Sequence, residues 1–202
     1  MRDLVAESDV MALLKSSTAD LHRSVEQIMP FFRAQFSLRD YTQTLAAFLG
    51  FFGPVEQIVR NAADWSAIDF DINRHLRAHR LESDLLALGL SDSDISNLPR
   101  CTSLPNVGNR ESALGCLYVL EGSTLGGQII GRELAQRFGI DRFTGASFFL
   151  SHGSRVGEMW KEFSLLVRSH INKPDSQQLA VHAAMETFSS LETWMRKVIA
   201  HA

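Results

Sequence analysis

The sequence predicts an all-α protein built as a single domain, and three observations carry that prediction. Apolar residues recur at helical spacing through most of the chain. No stretch sustains the two-residue alternation of a half-buried strand. Ser, Asp, Pro and Gly bracket the periodic stretches as helix ends do. The 202 residues suit one large domain. A chain of that length buries about 70% of its unfolded surface, so no disulfide or metal staple is required. No internal repeat or low-complexity tract interrupts it, and the expected unit spans residues 1–202.

Composition narrows the partners. The chain is 45% apolar and 21% charged, ordinary values for a soluble globular protein. Its net charge of −3 gives no reason to expect nucleic acid or an anionic membrane. The N-terminus, MRDLVAESDV, has acidic residues where a secretory signal would be apolar. The longest apolar runs, such as 45-LAAFLGFFGPV-55, are too short to cross a bilayer. Cys101 and Cys116 have neither CxxC pairing nor metal-type spacing. Two free thiols in a reducing cytosol is the expectation, and a cytoplasmic location follows from it.

Taken in order, the first helix is expected over Ser8 to Met29, with Leu14, Leu21, Val25 and Ile28 as its apolar stripe and Pro30 after its end. Ser37 with Asp40 has the spacing of a helix cap, so the second helix is placed over Leu38 to Ala63, with a kink expected at Pro54. A third helix is expected over Asp71 to Leu88, stopped by Gly89. The polar stretch 91–109 reads as a connection holding one short turn at Asp92 to Leu98. A long helix follows over Arg110 to Phe138, ended by Gly139. A loop over 140–153 then leads to a helix over Ser154 to Ile171. Pro174 sits in the first turn of a last helix that runs to the C-terminus.

Two of these helices carry unusual residues. In 14-LKSSTADLHRSVEQ-27, Lys15 and His22 are two turns apart on nearly one line, and Glu26 follows His22 by four. A histidine bordering an apolar stripe can present one ring nitrogen as a ligand while a carboxylate holds the other. Taken alone, it reads as a core-edge histidine between solvated charges. The helix 115-GCLYVLEGSTLGGQIIGREL-134 holds Gly115, Gly122, Gly126, Gly127 and Gly131. Five glycines give up roughly 4 kcal/mol of helix propensity. Gly115, Gly122 and Gly126 fall on one stripe beside Ser123 and Gly127, where another helix or a flat ligand can approach the backbone. Phe188, Trp194, Met195, Trp160 and Phe163 sit at helical spacing and read as core, with Lys161 a surface cation.

Together, the Lys15–His22–Glu26 helix and the run YVLEGSTLGGQ, in this order and about a hundred residues apart, resemble the proximal and distal helices of haem oxygenases. The likeness spans nearly the whole chain and is closest to the bacterial biliverdin-forming branch found beside bacteriophytochromes. It implies a haem-oxygenase-like helical bundle that cleaves haem b, both cofactor and substrate, to biliverdin, Fe²⁺ and CO. O₂ and electrons from an external reductant, such as a ferredoxin or a reductase, would be consumed. By position, His22 becomes the axial iron ligand and Glu26 its hydrogen-bonding partner. Lys15 and Lys161 become partners for the propionates, and Phe188 lines the pocket. Gly122 and Gly126 form the distal floor, with Ser123 and Gly127 close by.

One position departs from the animal-type members of that family. Their distal helix carries an aspartate that orders the water supplying protons, and here Ser123 stands in its place. The arginine-bearing position before it is Val119. A hydroxyl can hold a water but is not a carboxylate. A non-catalytic haem carrier or sensor on the same fold is therefore the alternative. A thiaminase-like enzyme or di-iron oxidase on the related scaffold is disfavoured, because no Glu-x-x-His pair is present and Cys116 lies on the glycine helix.

Overall fold

Helix boundaries fall where side chains can satisfy the backbone. The computed structural model describes residues 9–199, and among them there are seven α-helices and no strand. Helix α1, Val10–Ile28, is started by Asp9, whose carboxylate accepts from the Met11 amide; the expected start at Ser8 lies outside the described residues. Helix α2, Leu38–Asn61, opens with the expected capping box of Ser37 and Asp40. A second such box, Ser91 with Asp94, starts the short α4, Asp92–Ser96. Helix α5 covers Arg110–Phe138 as expected; Asn109 caps it, and Gly139 ends it at φ 67°, a left-handed conformation that favours glycine. Helices α6, Val156–His170, and α7, Pro174–Ile199, complete the described chain.

The third expected helix is broken. Only Ala78–Ala87 is α-helical (α3), and Ile72–Arg74 forms a single 3₁₀ turn. The buried Glu56 carboxylate on α2 causes the break. It accepts from the Arg77 amide at 2.7 Å and the Ala78 amide at 3.0 Å, donors that a helix start leaves unpaired. His75 and Arg77 turn inward at this point, and both are buried. Helix α6 likewise starts later than expected, behind a 3₁₀ turn at Gly153–Arg155.

Helix α7 is the spine: it packs along both α5 and α1, while α2 packs against α3. Helices α1 and α5 barely touch each other. Phenylalanines 31, 36, 48, 52, 148 and 149 form one cluster of edge-on and tilted rings. The irregular stretch 140–152 lies behind α5 and is tied down by buried polar groups. Tyr41 donates its hydroxyl to the Gly145 carbonyl at 2.6 Å. Asp84 accepts from the Ser147 and Phe148 amides, both at 2.8 Å. Cys101 and Cys116 are free and buried, and burial pushes the Cys116 thiol up to about 12. No helix among the described residues is long and apolar enough to cross a membrane.

The glycines of α5 divide into two groups, where the sequence suggested one stripe. A methyl group at Gly115 would run into the backbone of Ala180 on α7. One at Gly127 would sit 2.5 Å from the Phe149 carbonyl oxygen, and one at Gly131 would strike Leu150. The first two bring backbones together, and Gly131 makes room for the Leu150 side chain. Gly122 and Gly126 do neither: the nearest atoms to a Gly122 methyl are in the Trp160 ring at 3.7 Å, and Gly126 has nothing within 4 Å.

The two groups should respond to alanine with opposite sign. Gly115→Ala should destabilise the ligand-free protein by about 2 kcal/mol or more, an overpacking cost. Gly126→Ala should stabilise it by about 0.5–1 kcal/mol through helix propensity. Urea unfolding of both variants checks this, and equal signs would remove the distinction.

A cleft between two helices as candidate functional site

The side chain of Tyr118 on α5 reaches Thr18 on α1, one turn before Gly122 and His22 respectively. Beyond that contact both helices present solvent-exposed residues. His22 is 56% exposed and Glu26 66%, so the histidine is more open than the half-buried position expected of it. Its ring is nonetheless held at two points. Nδ1 lies 3.4 Å from Glu26 Oε2, and Phe188 packs edge-on with ring centres 5.6 Å apart. Nε2 has no hydrogen-bond partner among the described residues. An imidazole so arranged leaves Nε2 as the nitrogen available to a metal.

On α5, Gly122 and Gly126 alternate with Leu125 and Ile129, both exposed. Their i, i+3, i+4, i+7 spacing makes one face, a strip that is apolar at two positions and bare at two. Trp160, stacked near Tyr118 and Phe163, stands beside Gly122. Gly127 requires correction: one residue on from Gly126 it points backward, and its missing side chain serves the approach of Phe149 rather than the open face. Lys15 and Lys161 are exposed and pair with no carboxylate among the described residues, and Phe188 is buried against His22. A separate groove of about 620 Å³, near Arg33, Phe36, Pro99 and Ile199, is lined by none of these residues.

Sequence reasoning missed what lies behind the strip. Glu121, the residue before Gly122, is fully buried. His75 Nδ1 is 3.1 Å from one of its oxygens and His152 Nε2 is 3.0 Å from the other. The N–H directions lie off the line to the carboxylate, so these are close electrostatic contacts rather than linear hydrogen bonds. Burial raises the Glu121 pKa, but His152, His75 and Arg77 outweigh it and hold the carboxyl at about 2. Arg77 donates to the Leu120 carbonyl and, at 2.7 Å, to Ser123 Oγ. Ser123 gives its own proton to the Leu120 carbonyl at 2.7 Å. A charged residue inside an otherwise apolar run was the only local sign of this cluster. His75, Arg77 and His152 come from segments whose inward turn no periodicity announces.

These features describe an all-helical protein in which, one turn beyond the contact between α1 and α5, one helix exposes an imidazole and the other bare backbone. The family model described as Heme oxygenase matches residues 8–197. The chain belongs to the heme oxygenase family, a family of oxidoreductases. The NO- and CO-bound heme oxygenase from Neisseria meningitidis has a similar structure, with a TM-score of 0.79 and 22% identity over 96% of this chain and 93% of that one. Heme oxygenase from Leptospira interrogans gives 0.74 and 17% over 94% and 99%. At these identities the likeness to the two structures is one of fold. No curated protein sequence matches the chain.

The Glu121 carboxyl lies below its ordinary 4.5 in the folded protein. Its stabilisation is therefore complete above about pH 4.5 and lost as the pH falls toward 2. Glu121→Gln should cost about 3 kcal/mol at neutral pH, as breaking a buried ion pair does. It should also flatten the stability curve across that acid window. An unchanged acid limb in pH-dependent urea melts would contradict the assignment.

Proposed function

We propose that this chain binds haem b in the α1–α5 cleft and converts it to biliverdin, Fe²⁺ and CO, using O₂ and electrons from an external donor. One observation supports the reading: one turn beyond the Tyr118–Thr18 contact, α1 carries an exposed imidazole and α5 a strip of helix backbone that two glycines leave bare. A flat apolar macrocycle fits that pairing. Side chains at Gly122 and Gly126 would occupy the space it needs.

Haem, when bound, supplies both the iron that activates dioxygen and the ring carbon that is oxidised. His22 would hold the iron through Nε2, with Glu26 at Nδ1 fixing the tautomer. The neutral imidazole lacks the electron push of a thiolate ligand, which promotes O–O cleavage. Phe188 orients the His22 ring. Leu125 and Ile129 give apolar contact and displace water from the ring face. The bare backbone at Gly122 and Gly126 lets the distal wall come close. Ser123 has committed its proton to Leu120 and receives one from Arg77, so it offers the cleft a lone pair. A water there would donate to Ser123 and keep its second proton free. Lys15 and Lys161 are the proposed partners of the propionates, supported by their exposure and by the lack of a carboxylate partner among the described residues. The bacteriophytochrome-associated branch, a ferredoxin or reductase as donor, and a cytoplasmic setting rest on the sequence resemblance and composition.

Haemin titration should give a Soret band characteristic of histidine ligation. Reductant and air should then bleach it while a biliverdin absorption grows in the red. Haem that survives repeated reduction and aeration would instead support the carrier reading. His22→Ala should erase the ligation signature and lower turnover by more than the roughly 10–100-fold typical of outer-shell changes. Gly126→Leu should keep the apoprotein folded and weaken haem binding, which the same titration measures.

A further inference from the structure

Arg77 is 1% exposed, yet no carboxylate hydrogen-bonds its guanidinium. Its partners are the Leu120 carbonyl, Ser123 Oγ and, at 3.5 Å, the Phe148 carbonyl, with the Phe148 ring 4.6 Å from the guanidinium carbon. A buried cation is costly unless compensated. Compensation comes through space, from Glu121 first and Glu56 second, while Arg80 on α3 opposes it. Glu121 in turn is wedged between His75 and His152. Thus α2 and α5 each set a carboxylate near the Arg77 cation, and two connecting segments set His75 and His152 against Glu121.

We propose that Glu121 and Arg77 are positioning residues for the reaction: Glu121, clamped by His75 and His152, holds the Arg77 cation in place, and Arg77 turns Ser123 so that only a lone pair faces the cleft. This rests on the haem reading above. The hydroxyl has one proton, which goes to Leu120, and Arg77 occupies one of its lone pairs. What remains is an acceptor beside a buried positive charge. A nearby cation favours the deprotonated form of an acid, and an anion does the reverse. Losing either Arg77 or the Glu121 that holds it should therefore disfavour the deprotonated form of an acidic group in the cleft. Two charges that acted only through space would instead shift that group with opposite signs.

The test compares two charge deletions of similar size. The pH midpoint of the visible-spectrum change of the ferric haem complex should rise by about 0.5 unit or more in Arg77→Gln, and should rise in Glu121→Gln as well, because its loss releases the cation from Ser123. No rise in Arg77→Gln, or a fall in Glu121→Gln, in folded variants that retain the parental Soret band overturns the proposal. Should either variant not fold, Ser123→Ala carries the test from an exposed position. Its midpoint must move by about 0.3 unit, and an unchanged midpoint overturns the proposal. In haem-free protein, Arg77→Gln, Ser123→Ala and the double variant should show coupling of about fivefold in the unfolding constant; simple additivity overturns the orienting bond. Failure of the parent to bind haem would remove the proposed function instead, and the haem-free cycle would still report on the Arg77–Ser123 link.

Discussion

Two backbone-to-backbone contacts hold α5 in place, and both need glycine. Gly115 lies against Ala180 of α7, and Gly127 lies against Phe149 of the irregular segment behind the helix. They lie twelve residues apart, roughly 18 Å along the axis. Between and beside them α5 needs no support from α1. That freedom allows a cleft: Gly122 and Gly126 remain bare because the helix is anchored elsewhere. A helix that relied on α1 for burial would have filled the gap with side chains.

Buried carboxylates organise the wall behind the cleft. Glu56 caps α3, Asp84 holds the Ser147 and Phe148 amides, and Glu121 meets two histidines. Burial pushes the Glu56 and Asp84 carboxyls up, and their backbone amide donors only partly offset this. Such groups are poor sources of net stability. They do specify a direction for irregular backbone, which apolar packing alone does not. The stretches around His75–Arg77 and 140–152 have that directional anchoring in place of helix hydrogen bonds.

The open cleft bears on function through charge as well as shape. His22 and Glu26 meet solvent, whereas Arg77 and Glu121 meet none. A flat ligand entering the cleft would therefore lie between a solvated imidazole and a distal wall whose charges are fixed before it arrives. Fixed dipoles and charges that need not reorganise are the ones most useful to a reaction. The two heme oxygenases of similar fold share only 22% and 17% of their residues with this chain. The helix scaffold thus tolerates extensive side-chain replacement.

Local signals made much of the fold legible. Ser37 with Asp40 marked one helix start, Gly139 marked an end, and α5 was read residue for residue. His22, Glu26 and the glycine helix also announced themselves, because covalent spacing along a helix determines which residues share a face. The break at His75–Arg77 did not, since its cause is Glu56, far away in the chain. Nor could sequence separate Gly122 and Gly126 from Gly115 and Gly127: all are equally bare, and only the neighbour each one meets gives the absence of a side chain its meaning. The sequence alone determined the helices and the faces they carry. Tertiary packing decided which faces would be covered, which would stay open, and which charges would stand behind them, because those depend on contacts between segments whose separation along the chain carries no periodic signal.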